Sequence, residues 1–284
     1  MELKSENRSF GGRQQVWTHQ SKETGTEMTF GLYLPPAAED GPVPVVLYLS
    51  GLTCTHANVT DKGGFQRVCA ELGLAFLAPD TSPRGLDLPG EHDSYDFGSG
   101  AGFYVDATQE PWSKHYRMES YVTGELLKVA AEAAPCLDLE DIAITGHSMG
   151  GHGALTLGLK YPERFHSLSA FAPISSPMNC PWGEKALGQY LGENREQWQQ
   201  ADSCFLIREH GATAPRILVD QGSDDDFLES QLKPALLQAA ATAGGADLTL
   251  RMQEGYDHSY FFIASFIEDH IRFHSEQLGP AHTR

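Results

Sequence analysis

Seven apolar runs, separated by stretches with helical spacing, limit what this chain can fold into more than any other feature. "VPVVLYLS" (Val43 to Ser50) is continuous and rich in β-branched residues, as expected of a strand buried on both faces. "LAFLAPD" (Leu74 to Asp80), "DIAITG" (Asp141 to Gly146), "SLSAFAP" (Ser167 to Pro173) and "RILVDQG" (Arg216 to Gly222) read alike. "LTLRMQEG" (Leu248 to Gly255) reads as the last strand. "MTFGLYLP" (Met28 to Pro35) instead alternates like an antiparallel strand, and Pro35-Pro36 ends it. Helix-like stretches lie at about 61–72, 117–133, 149–161, 228–243 and 258–275. Buried strands alternating with helices predict an α/β fold, a mostly parallel sheet with helices on both faces. Ligands in such folds bind at the carboxyl ends of the strands.

Two segments break the rhythm, 81–116 and 175–213, both rich in Gly, Pro and aromatic residues. Long irregular insertions in compact domains are usually functional loops or caps, so both are expected over that end of the sheet. No linker or repeat divides the 284 residues, and one domain spanning 1–284 is expected.

The 38 Asp and Glu against 20 Lys and Arg leave a net charge of −18. That argues against nucleic acid or anionic membrane as a partner, since both require a basic surface. No apolar run reaches the ~18 residues a membrane span needs, and "MELKSENRSFGG" lacks a signal-peptide core, so a cytoplasmic protein is expected. The five cysteines form no C-x-x-C pair, which suggests neither a zinc site nor a disulfide framework.

Gly146-His147-Ser148-Met149-Gly150 fits G-x-S-x-G where a buried strand meets a helix. Such a turn holds its serine in a strained conformation and aims it past the sheet. Ser148 is therefore the candidate nucleophile, and a serine hydroxyl needs a base. The expected chain order is Ser, acid, His. His258, just past the last strand, is the candidate base. His270, His274 and His282 lie on or beyond the terminal helix and read as exposed; His147 and His152 read as bystanders. Asp224, Asp225 and Asp226 all follow the strand "RILVDQG", and spacing does not choose among them; the two left over face water or cap the next helix. The oxyanion donors expected from position are the amides of Met149, after the nucleophile, and Leu52, in "GLTC".

The strings "SGLTCTHANVTDKGG", "APDTSPRG", "DFGSGAGFYVDAT", "PWSKHYRMESYV", "GHSMGGHGAL", "CPWGEKA", "DQGSDDDFL" and "QEGYDHSYFF" together resemble the S-formylglutathione hydrolases, the esterase D family. The resemblance runs from about Phe10 to about His274. It implies an α/β-hydrolase fold, hydrolysis of a glutathione thioester to glutathione and formate, no cofactor or metal, and a homodimer. Residue by residue it implies Ser148 as nucleophile, His258 as base and Asp225 as acid. It likewise implies the Leu52 and Met149 amides as the oxyanion hole. Cys54 matches a cysteine that makes members sensitive to thiol reagents, with a packing role as the plain alternative. Trp182 in "CPWG" matches a pocket aromatic. Two other readings stand beside this one, a general or feruloyl-type carboxylesterase and an inactive binding module of the same fold.

Overall fold

The continuous Val/Leu run becomes a strand, β4 (Val43–Leu49), in which every residue is buried. A strand with no solvated face lies inside a sheet covered on both sides. Around it, in the computed structural model, which describes residues 1–279, run β1 (Glu2–Ser9), β2 (Gly12–Gln20), β3 (Glu27–Leu34), β5 (Ala75–Pro79), β6 (Leu137–Gly146), β7 (Phe165–Phe171), β8 (Ile217–Gly222) and β9 (Leu248–Gln253). Their spatial order is β1-β2-β3-β5-β4-β6-β7-β8-β9. Pairing from β5 through β9 is parallel, and β1, β2 and β3 add an antiparallel ribbon to the β5 edge. The mostly parallel sheet is as expected.

The first two strands are not legible in the sequence. β1 is almost wholly exposed and β2 carries Arg, Gln, Thr and His, so neither shows an apolar alternation. Backbone pairing to the next strand holds them in place, with Glu2 to Ser9 of β1 opposite Gly12 to Thr18 of β2.

The helix expected at 61–72 is two, His56–Lys62 and Gln66–Leu72, divided at Gly63-Gly64 where Gly64 takes φ +73°. The stretch expected at 228–243 begins as one wide π turn, Leu228–Leu232. It then restarts at Pro234 after Lys233, whose φ is 50°. Proline suits the first helical position because its missing N–H would have no partner there.

The terminal helix, Tyr260–Gln277, holds the main correction to the sequence reading. His270 and His274, read as exposed, are wholly buried, and His282 lies outside the described residues. They bury because a polar ladder on the sheet receives them. His274 meets Ser167 Oγ at 2.7 Å through Nδ1 and Ser169 Oγ at 2.8 Å through Nε2. His270 meets Ser169 Oγ at 2.8 Å and Asp220 Oδ2 at 3.2 Å. Burial pushes the Asp220 carboxyl up, but hydrogen bonds from His270 and Arg251 outweigh it and hold it at about 2. Satisfied polar groups of this kind cost little to bury, and they tie the helix that follows His258 to β7 and β8.

Candidate active site

Ser148 sits between β6 and the helix Met149–Lys160 at φ 59°, ψ −118°, a conformation L-residues rarely adopt. Its neighbours hold it there. The Ser148 amide donates to Phe171 O (2.9 Å) and the His147 amide to Leu49 O (3.0 Å), pinning the turn between β7 and β4. Glycine is required at position 150, since a Cβ there would stand 1.9 Å from Leu49 O. The turn thus lifts the serine at the carboxyl end of the sheet with a helix N-terminus behind it.

Beyond β8 the three aspartates separate by burial. Asp224 and Asp226 are exposed and Asp225 is buried. Asp225 Oδ2 lies 2.6 Å from His258 Nδ1 and also accepts from Gln221 Nε2 at 3.2 Å, while Oδ1 accepts from the Phe227 amide at 2.9 Å. The carboxylate therefore has a defined orientation before it meets the imidazole. Asp225 also closes the turn before Phe227, while the helical turn that begins there has no side-chain cap, from Asp225 or from its neighbours.

Ser148 and His258 line one cavity of about 280 Å³. The loop after β4 forms its floor. A Cβ on Gly51 would come within 3.2 Å of Ser148 Cβ, so the loop runs close beside the serine, and Leu52 after it lines the cavity. Tyr104 Oη donates to Ser50 O at 2.8 Å, and the Thr53 amide donates to Gly100 O at 2.9 Å. The 81–116 insertion thus braces the loop.

The same insertion and 175–213 meet over the cavity. Trp182 Nε1 donates to Tyr95 Oη at 3.1 Å, and Lys185 Nζ pairs with Asp96 at 2.6 Å. Trp182 is packed against Phe227, ring centroids 4.7 Å apart, and Phe227 against His258 at 5.1 Å. Trp182 is thus at once a packed core residue and a wall of the cavity. Cys54 lines it too; burial pushes its thiol up, which keeps it protonated at neutral pH.

Of the two histidines read as bystanders, His152 lies away from the site, with Nε2 3.0 Å from Phe103 O and burial pulling it down to about 4. His147 does not. Its ring lines the cavity 4.4 Å from that of His258, and neither of its nitrogens has a hydrogen-bond partner among the described residues. Burial and the neighbouring His258 hold it well below the ordinary histidine value, so it stays neutral beside His258. Sequence reasoning also passed over Tyr95, Phe227, Tyr260 and Gln221. Only Phe227 and Tyr260 carry a signal, each standing two residues beyond a candidate relay member. Among the described residues no cluster of His, Cys, Asp or Glu is placed to hold a metal ion, and no helix is long and apolar enough to cross a membrane.

A family model described as a putative esterase matches residues 21–273. The S-formylglutathione hydrolase of Paracoccus denitrificans is 54% identical over 278 residues, 98% of this chain and 98% of that one. The chain belongs to the S-formylglutathione hydrolase family. The enzyme of that name from Rattus norvegicus is 50% identical over 282 residues, covering 98% of this chain and all of its own. A solved S-formylglutathione hydrolase structure from Agrobacterium tumefaciens superposes with a TM-score of 0.94 at 53% identity, over 98% of this chain and 100% of that one. Family membership brings the α/β-hydrolase fold with it, and the nine-stranded sheet described above has that form.

Proposed function

We propose that this chain hydrolyses the thioester S-formylglutathione to glutathione and formate, with Ser148 as nucleophile, His258 as base and Asp225 as its orienting acid. The observation that carries the reading is the buried Asp225 carboxylate bound to the half-buried His258 at 2.6 Å, with His258 and a strained serine lining one small cavity. In this reading Ser148 Oγ attacks the formyl carbon as His258 Nε2 takes its proton, and the Leu52 and Met149 amides hold the oxyanion. The C–S bond breaks, and the glutathione sulfur leaves with the proton returned by His258. Water then attacks the formyl ester, giving its proton to the same nitrogen; formate departs and Ser148 is restored. Asp225 fixes Nδ1 as the protonated nitrogen throughout, so that Nε2 is free to accept.

A formyl group occupies little of a cavity of about 280 Å³, which leaves room for the sulfur, its methylene and slightly larger acyl groups. Small esters are thus expected as slower substrates, which is what remains of the general carboxylesterase reading. In this proposal Cys54 and Trp182 border the substrate, one domain carries the site, and the chain acts in the cytoplasm as a homodimer, as its family likeness implies. Comparing kcat/KM for S-formylglutathione with that for p-nitrophenyl acetate tests the substrate. A preference of at least tenfold for the thioester is expected, and a preference for the plain ester overturns the assignment.

A further inference from the structure

The tripeptide half of the proposed substrate carries two carboxylates and must approach a protein of net charge −18. Long-range electrostatics therefore oppose binding, and a cation at the cavity's edge is needed to offset that locally. Six basic residues stand in the helix His56–Lys62 and in the 81–116 and 175–213 segments; four are already engaged, Arg195 with Glu184 at 3.3 Å among them, and Arg208 lines a separate cavity beside Asp202. Arg84 grips Asp80 at 2.9 Å, Lys185 holds Asp96 at 2.6 Å, and Lys114 faces Glu110 at 3.8 Å. Lys62 has no carboxylate within 4.0 Å among the described residues.

Its place on the helix His56–Lys62 is informative. Asn58 of that helix lines the cavity, and its Oδ1 is held by the Thr55 amide at 2.9 Å. Lys62 is four residues further on, hence on the same face, roughly one turn outward. The helix is fixed at its start by a reciprocal cap between Thr55 and Asn58, so the direction of that face is set. Cys54 lines the cavity too; burial raises its thiol, and the Lys62 charge acts on it in the opposite sense.

We propose that Lys62 is the specificity residue that receives a carboxylate of the glutathione moiety at the cavity rim. The inference rests on the substrate reading above. An exposed cation of this kind adds attraction equally before and during the reaction, so it acts on KM and leaves kcat alone. S-formylglutathione and the uncharged S-formyl-N-acetylcysteamine present the same reacting group and differ in charge. For Lys62→Gln, KM for the glutathione thioester should rise about 1.5- to 5-fold, the range of one exposed ion pair. Lys62→Glu should raise it further, and Lys62→Arg should restore it. The neutral thioester should respond to none of the three. Raising the ionic strength should erase the difference between wild type and K62Q. Lys114→Gln serves as a control of equal charge change and should match wild type. Wild-type activity on S-formylglutathione with no KM change in K62Q or K62E overturns the role of Lys62, as does an equal loss on both thioesters. Absence of wild-type activity on S-formylglutathione instead overturns the substrate reading.

Discussion

Replacing Asp225 with asparagine tests the proposed relay at its most constrained atom. The carboxylate accepts three hydrogen bonds, from His258 Nδ1, Gln221 Nε2 and the Phe227 amide, and its side chain is wholly buried. Asparagine has one acceptor oxygen. If that oxygen keeps the Phe227 amide, the new NH2 group points at both Gln221 Nε2 and His258 Nδ1. His258 relieves the clash only by presenting an unprotonated Nδ1, which moves its proton to Nε2 and disables it as a base toward Ser148. The expected loss in kcat is about ten-thousand-fold, or roughly 5 kcal/mol of transition-state stabilisation. A remaining donor facing a donor in a buried site costs about 1–3 kcal/mol of stability, enough to lower Tm by several degrees while leaving the protein folded. Steady-state kinetics on S-formylglutathione at pH 7.5, with circular dichroism melts, measure both. Asp224→Asn and Asp226→Asn, on exposed side chains, should stay within about twofold of wild type. A folded D225N enzyme keeping more than a tenth of wild-type kcat, or a D224N enzyme falling as far, refutes the reasoning.

Two further predictions concern the serine and the buried histidines. Ser148→Ala should fold normally yet lose both hydrolysis and covalent labelling by a fluorophosphonate; labelling that persists points to another nucleophile. Burial holds His270 and His274 below the ordinary histidine value, so they are neutral in the fold, whereas the unfolded chain takes up protons below about pH 6.5. Their contribution to stability is therefore full above that pH and falls as the pH drops toward the folded values. Urea midpoints should decline from pH 7 to pH 5, and His274→Gln should reduce the slope by up to one proton, about 1.4 kcal/mol per pH unit. An unchanged slope contradicts this account of the ladder.

The chemistry of this site is read more easily from the sequence than its surroundings are. Ser148 follows a buried apolar strand, which announces itself by composition alone, and His258 follows shortly after the last strand, a half-exposed one read from its place in the order. Local chain geometry thus determined the parallel sheet, the sharp turn at the serine and the end of the sheet where a base must lie. Three aspartates in a row are locally equivalent, however. Burial of Asp225 against Gln221, Phe227 and His258 distinguishes it, and the partner that decides, His258, lies 33 residues further along the chain. The polar strands β1 and β2 are held by pairing to a neighbour, and their own residues carry no signal of it.

His270 and His274 make the same point about burial. A polar side chain reads as exposed until a partner is found, and Ser167, Ser169 and Asp220 lie 50 or more residues away along the chain. His147 turned from bystander to cavity wall because the last helix sets His258 against it. Lys62 resembles any solvated lysine until its rivals are seen paired or turned to another cavity and its helix is seen to border this one. Periodicity and strand-end position are properties of contiguous residues, so the sequence by itself determined the architecture and the candidate nucleophile and base. Burial, ion pairing and the walls of the cavity arise between segments far apart in the chain, and only the tertiary structure decided them.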